Sequence, residues 1–158
     1  MCIRDRPHVV YGVLDTGQVY AELTDAGWQK TVVRPGTNPE LHNTLLLDTA
    51  GAAHIAAIDG ELLYTSNAGG AWQTTPLAAP ETAGTHNALA LDSTDTAYVF
   101  YDKAEAGELW WGMQTDAGWT TERLAAVATL NLEIAAAVDT QNRPHVAYLC
   151  LLYTSRCV

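Results

Sequence analysis

RPHVVY (6–11) and RPHVAY (143–148) stand near opposite ends of the chain and differ at one position. Between them the motif returns in looser form, as AAHIAA (52–57) and TAYVFY (96–101). The third positions of the four copies, His8, His54, Tyr98 and His145, are 46, 44 and 47 residues apart. Two further markers keep the same period. Tryptophans closing DAGW, GGAW and DAGW fall at Trp28, Trp72 and Trp119, and aspartates closing LLLD, LALD and AAVD fall at Asp48, Asp92 and Asp139. Both sets are spaced 44 and 47. Three markers sharing one period define an internal repeat, the first property to establish in any chain.

Each period reads as four short strands. The first is NTLLLD, NALALD or IAAAVD; the second is HVVY, HIAA or YVFY. The third is QVYAEL, ELLYTS or ELWWGM, and the fourth is WQKTVV, WQTTPL or WTTERL. The runs are rich in β-branched and aromatic residues, and turn residues separate them. LAAVATL (124–130) has helix-forming residues but sits in the repeat register where strand and loop are expected. A four-stranded unit of this length cannot bury both faces alone, and stacking on its neighbours supplies the missing contacts. Four strands per 44–47 residues is the size of one β-propeller blade. The expectation is an all-β chain, an incomplete β-propeller of roughly three four-stranded blades in an open arc. It would hold strands two to four of one blade, two whole blades and the first two strands of another. The first strand of each, apolar at nearly every position, is expected innermost, and the two end faces are expected apolar and unpaired.

The ends read differently. CLLYTS (150–155) can be coded TGT CTC TTA TAC ACA TCT, whose opposite strand contains ATG TGT ATA AGA GAC A. That translates as MCIRD plus a codon that arginine at Arg6 permits. Both ends thus resemble the two strands of one sequencing adapter, the mosaic end of a transposase-inserted fragment. Residues 1–5 and 150–158 are therefore set aside from fold reasoning, with Arg6 and Leu149 doubtful, and 6–149 is read as the repeat region. All three cysteines lie in the ends, so no disulfide, thiol nucleophile or zinc–thiolate site is expected in the repeats. The whole chain carries 18 acids and 8 bases; without Arg4, Asp5, Arg6 and Arg156 it carries 17 and 5, a net charge of −12. Nucleic acid, which needs a basic surface, and an anionic membrane are unsuited partners. Neutral ligands or cations suit the charge better. No apolar run approaches the ~20 residues that span a bilayer.

PHVAY, then GELLY, GQVY or GELWW, then GW resemble the repeats of bacterial extracytoplasmic propellers of the sialidase and fucose-binding lectin kind. TSNAGGAW (65–72) fits their Asp-box pattern, with Thr65, Asn67, Gly69 and Trp72 at the key positions and Asn67 where aspartate is usual. The other repeats shorten this turn to TDAGW and match in part. The resemblance implies a structural box: the Asn67 side chain accepts backbone hydrogen bonds in the turn, glycine takes a positive φ, and tryptophan packs between adjacent sheets. It also implies a chain that is extracellular or on the cell surface, with the remaining blades of a parent chain as partners.

The resemblance further implies that ligands meet the end where the loops entering the first strand and leaving the second emerge. His42, Asn43, His86 and Asn87 precede the first strands there, with Glu133 in the same register. Asp15, Asp59 and Asp102, flanked by Tyr11, Tyr101 and Tyr148, follow the second. Of these, His42, Asn43, His86, Asn87, Asp59, Asp102 and Tyr101 are the candidate ligand-binding set, and no residue is assigned a catalytic role. Imidazoles, amides, carboxylates and phenols suit sugar hydroxyls or a Ca²⁺ ion, though no cofactor is required; the same His and Asn would also serve as loop caps. His8, His54 and His145 read as satisfied structural histidines, and Asp48, Asp92 and Asp139 as the starts of tight turns. A sialidase needs an arginine cluster, a tyrosine nucleophile and an acidic partner, and other glycosidases need two facing carboxylates. Arg34, Arg123 and Arg143 do not share a face in this register, while Asp59 and Asp102 sit in neighbouring units. The expected function is a binding module for glycan or protein ligands. The alternatives are part of a sialidase-like glycoside hydrolase and a purely structural repeat array.

Overall fold

The computed structural model describes residues 6–36, 42–78, 84–103, 106–126 and 133–149. Every regular element of more than one turn among them is a strand, so the all-β expectation holds. The first sheet contains β1 (His8–Val13), β2 (Gly17–Thr24) and β3 (Gly27–Pro35). The second contains β4 (His42–Leu47), β5 (Ala53–Asp59), β6 (Glu61–Ser66) and β7 (Gln73–Ala78). The third contains β8 (Asn87–Leu91), β9 (Ala97–Lys103), β10 (Glu108–Thr115) and β11 (Gly118–Ala126), and the fourth β12 (Ile134–Val138) and β13 (Pro144–Tyr148). Each sheet is antiparallel with its strands in chain order. Residues 124–126 of LAAVATL end β11; its remainder and both adapter-like ends lie outside the described residues.

The sheets pack through their first strands, β4 against β8 and β8 against β12, with β1 against β4. Alternation of side chains sends one half of each strand to each neighbour. From β5, Ala53 and Ile55 join Tyr20 and Val33 of the first sheet, while Ala56 and Ile58 join Leu89, Val99 and Tyr101 of the third. From β9, Tyr98 and Phe100 turn instead to Ile134, Ala136 and Val146 of the fourth. The two middle sheets are thus apolar on both faces, which is why β5 and β9 read as near-continuous apolar runs. Burial of the first strands is uneven. β8 is buried along its length, whereas β4 is half-buried and β12 alternates. β12 alternates because the fourth sheet has a neighbour on one side among the described residues.

Three repeat positions carry the stacking. Each long sheet has a β-bulge on its outermost strand, opposite Gln18/Val19, Leu62/Leu63 and Leu109/Trp110. The extra residues, Val33, Leu77 and Leu124, all lie five positions after the repeat tryptophan. A bulge twists the strand locally and turns the extra side chain toward the next sheet. Val33 and Leu77 are covered there; Leu124 is 47% exposed.

The tryptophans reach the other way, onto the third strand of the preceding sheet. Trp72 meets Tyr20 with ring centroids 5.0 Å apart, and Trp119 meets Tyr64 at 4.8 Å. Such tilted contacts contribute ~0.5–1.5 kcal/mol beyond area burial. Trp28, with no preceding sheet among the described residues, is 46% exposed. Within the Asp-box stretch the details differ from expectation. Asn67 Oδ1 accepts from the N–H of Ala53 at 2.7 Å, outside the turn, tying the β6–β7 loop to the start of β5. The positive φ falls on Gly70 (87°), one residue beyond the motif glycine.

The LD aspartates open tight turns as expected. Asp48 Oδ1 accepts from the N–H of Ala50 and Ala52, Asp92 Oδ1 from Thr94 and Thr96, and Asp139 Oδ1 from Gln141 and Arg143. Their second oxygens receive His54 Nε2 (3.2 Å), Tyr98 Oη (3.2 Å) and His145 Nε2 (3.1 Å). His54, buried among these partners, also bonds Tyr64 Oη through Nδ1. Burial pushes the Tyr64 hydroxyl up to about 12; the Asp48 carboxylate can only accept, so Nε2 carries the proton shared with it. His54 and His145 thus brace the turns that Asp48 and Asp139 open.

In each turn the residue three after the aspartate takes a left-handed conformation: Gly51 (φ 85°), Asp95 (64°) and Asn142 (59°). Its identity matters between sheets. Asp95 accepts from Thr49 N–H at 2.9 Å and Thr49 Oγ1 at 2.6 Å, and Asn142 Oδ1 accepts from Ser93 N–H at 3.2 Å. These two latches join the second sheet to the third and the third to the fourth. The residue at the same place in the second sheet is Gly51, which has no side chain to offer.

Candidate functional site

The opposite end of the sheets, where β4 and β8 begin and β5 and β9 finish, gathers most of the candidate residues. His42 and Asn43 open β4; His86 and Asn87 stand at the same place before and in β8. Because β4 and β8 are neighbours, the imidazoles of His42 and His86 come together, with centroids 4.5 Å apart and planes tilted by 52°. His42 is exposed and His86 half-buried. His86 Nδ1 shares a hydrogen bond with Thr85 Oγ1 at 2.8 Å.

The asparagines underlie this pair. Asn87, buried, donates through Nδ2 to the His42 carbonyl at 3.1 Å and accepts at Oδ1 from Thr44 Oγ1 at 2.9 Å. Asn43 Oδ1 accepts from the Gln18 amide at 2.8 Å, joining the first sheet to the second. Gln18 is itself fully buried. Each asparagine thus ties its own strand to a neighbouring sheet and fixes the backbone from which a histidine projects.

The carboxylates are committed elsewhere. Asp59 pairs with Arg34 at 2.8 Å, a second tie between the first two sheets. Asp102, 1% exposed, accepts at Oδ1 from the N–H groups of Thr85 (2.9 Å) and His86 (2.8 Å). It therefore shapes the loop that carries His86, and a side chain at Gly84 would collide with its carboxyl group. Tyr101 is also 1% exposed, within the core between the second and third sheets, and burial raises its hydroxyl above the ordinary phenol value. Of the seven candidates, His42 and His86 are brought together near the surface. Asn87 and Asp102 support them from within, Asn43 ties β4 to the first sheet, Tyr101 lies in the core, and Asp59 belongs to an ion pair. Asp15 sits in the exposed β1–β2 turn at φ 59°.

The arginines are separated too. Arg34 faces Asp59, Arg123 faces Glu108 at 2.9 Å, and Arg143 faces Asp139 at 2.7 Å at the other end of the sheets. Beside Arg123 lies a group that sequence reasoning did not single out. Lys103 Nζ stands 3.5 Å above the Trp110 ring, whose Nε1–H donates to Glu108 at 2.8 Å. Arg123 and the Trp110 indole hold the Glu108 carboxyl below its usual range. GELWW, present in one repeat in this form, is the signal that marks it. Among the described residues, no three His, Cys, Asp or Glu side chains gather around a common point that could hold a metal ion. None forms a helix long and apolar enough to cross a membrane.

No protein-family model matches this chain. No curated protein sequence matches it either.

Proposed function

We propose that the stacked sheets are blades of a β-propeller belonging to an extracellular or cell-surface protein, and that the His42–His86 end binds a neutral glycan. The repeat period, the in-order antiparallel sheets and their stacking through first strands support the propeller reading. The observation that carries the binding reading is the imidazole pair, His42 exposed and His86 half-buried beside it. Two repeats place a His-Asn dipeptide at the same strand position, and adjacency turns that repetition into one surface with both donors and acceptors. The net negative charge suits an uncharged ligand better than an acidic one.

The test is a glycan array probed with the chain, beside the His42→Ala/His86→Ala double variant. The expected result is capture of neutral glycans that the double variant binds about tenfold more weakly, the equivalent of ~1.4 kcal/mol. Capture of no sugar would sink the glycan reading, and selective retention of a protein would replace it with a protein ligand. The hydrolase alternative receives little support from the residues present. The three arginines pair with three different carboxylates, and Asp59 and Asp102 are each engaged. Release of product from a panel of glycosides would nonetheless favour it over simple binding.

A further inference from the structure

We propose that β1 of one molecule can replace β13 on β12 of another, so that copies of this chain associate head to tail. This rests on the fold and the repeat, not on any ligand. In the second and third sheets, the strand bearing His54 or Tyr98 lies between two neighbours. Among the described residues β1 pairs with β2 alone. Among the described residues no strand fills the edge that β4, β8 and β12 fill elsewhere, and open edges template pairing with another chain.

The occupant is specified by sequence. β1 and its lead-in, Arg6-Pro7-His8-Val9-Val10-Tyr11, match Arg143-Pro144-His145-Val146-Ala147-Tyr148 except at Val10. Laid in the β13 register, His8 would face Ala137, Val9 would face Ala136 and Val10 would face Ala135. Asp139, which now holds the Arg143 N–H and His145 Nε2, would find the same groups on Arg6 and His8. His8 is prepared for this: Nδ1 already bonds Tyr20 Oη at 2.5 Å, as His54 bonds Tyr64. Among the described residues no carboxylate stands on its other nitrogen.

The faces match as well as the edges. Phe100, Trp111, Glu122, Arg123 and Leu124, with Pro144 and Val146 of β13, line a hollow of ≈ 380 Å³ between the third and fourth sheets, and Pro7 and Val9 would take the places of Pro144 and Val146. In the middle of the molecule, third and fourth strands cover this position. Val9, Tyr11, Ala21 and Trp28 form the exposed apolar hollow on the first sheet. With β1 seated on β12, Trp28 would meet Trp111 as Trp72 meets Tyr20 and Trp119 meets Tyr64. The two-stranded fourth sheet, a marginal unit by itself, would exchange one strand for a three-stranded sheet.

The test uses the full chain with Cys2, Cys150 and Cys157 replaced by serine. One batch carries Val10→Cys and another Ala135→Cys, mixed under oxidising conditions. A second mixture pairs Val9→Cys with Ala136→Cys, because adjacent cross-strand pairs alternate between narrow and wide spacing and disulfide geometry is specific enough to favour one of them. The expected result is a disulfide dimer from one mixture, mapped by mass spectrometry to β1 of one copy and β12 of the other. Dimers of either strand with itself, or no mixed dimer from either mixture, would overturn the proposal. Sedimentation of the unsubstituted chain gives an independent check. A series of species growing with concentration is expected, and a single monomer throughout would also overturn it.

Discussion

At the scale of single residues, the LD aspartates do more than start turns. Burial pushes the Asp48 and Asp92 carboxyls up, but their hydrogen bonds outweigh it and both end below the ordinary value. For Asp48 these bonds come from His54 and the amides of Ala52 and Ala50; for Asp92 they come from Thr94, Thr96 and Tyr98. Asp139 is lowered as well, by the Arg143 amide first and then His145. A depressed carboxylate stabilises the fold fully above its unfolded value, ~3.9, and that contribution is lost as pH falls through the lower folded value. The urea midpoint should therefore drop as pH is taken below about 4. Asp92→Asn keeps an acceptor for the turn amides but carries no charge, so its midpoint should fall less steeply over that window. An unchanged slope in the variant would place the acid sensitivity at other groups. The turn residue itself was legible as a turn former, but the role of Asp95 and Asn142 between sheets was not. Aspartate, asparagine and glycine look equivalent as left-handed residues, and only the placement of a neighbouring sheet shows that two of them also accept hydrogen bonds.

At the scale of elements, the strand list was readable because alternation, turn residues and the repeat all agreed at the same places. The first strands read as the most apolar ones, yet β5 and β9 are more fully buried than β4 or β12 because each lies between two sheets. The bulges could not be recognised. Val33, Leu77 and Leu124 look like ordinary strand residues, and their extra place appears only when β2, β6 and β10 are laid beside their partners. The tryptophans were recognisable as anchors, yet their unequal surroundings depend on which sheet precedes each one. Replacing Trp72 or Trp119 by alanine should cost about 2–4 kcal/mol, less than a fully buried tryptophan because both remain partly exposed. Trp28→Ala should cost under about 1 kcal/mol, as expected of an exposed side chain. Chemical denaturation of the three variants checks the order, and equal losses would mean that the contact with the preceding tyrosine is not what holds these residues.

At the scale of the whole molecule, the candidate site was half legible. A dipeptide repeated at one strand position implied that His42 and His86 share an end of the array, and adjacency of β4 and β8 brings them together. Burial of Asn87, Asp102 and Tyr101 was not legible, because it depends on inter-sheet packing that strand patterns leave open. The seams between sheets also turn out unequal. The second and third sheets are fastened at both rims, by Thr44 to Asn87 at one and Thr49 to Asp95 at the other. The first and second are joined at one rim by Gln18–Asn43 and Arg34–Asp59. At the other rim no such bond joins them among the described residues, and a hollow of ≈ 720 Å³ opens among Arg6, His8, Asp48 and Thr49. A joint secured along one border and loose along the other behaves as a hinge. Hydrogen exchange should find β4 amides near Leu47 exchanging before those of β8 near Leu91, and equal protection would show the joint to be closed. Among the described residues, the seam between the first two sheets is therefore tied along a single border.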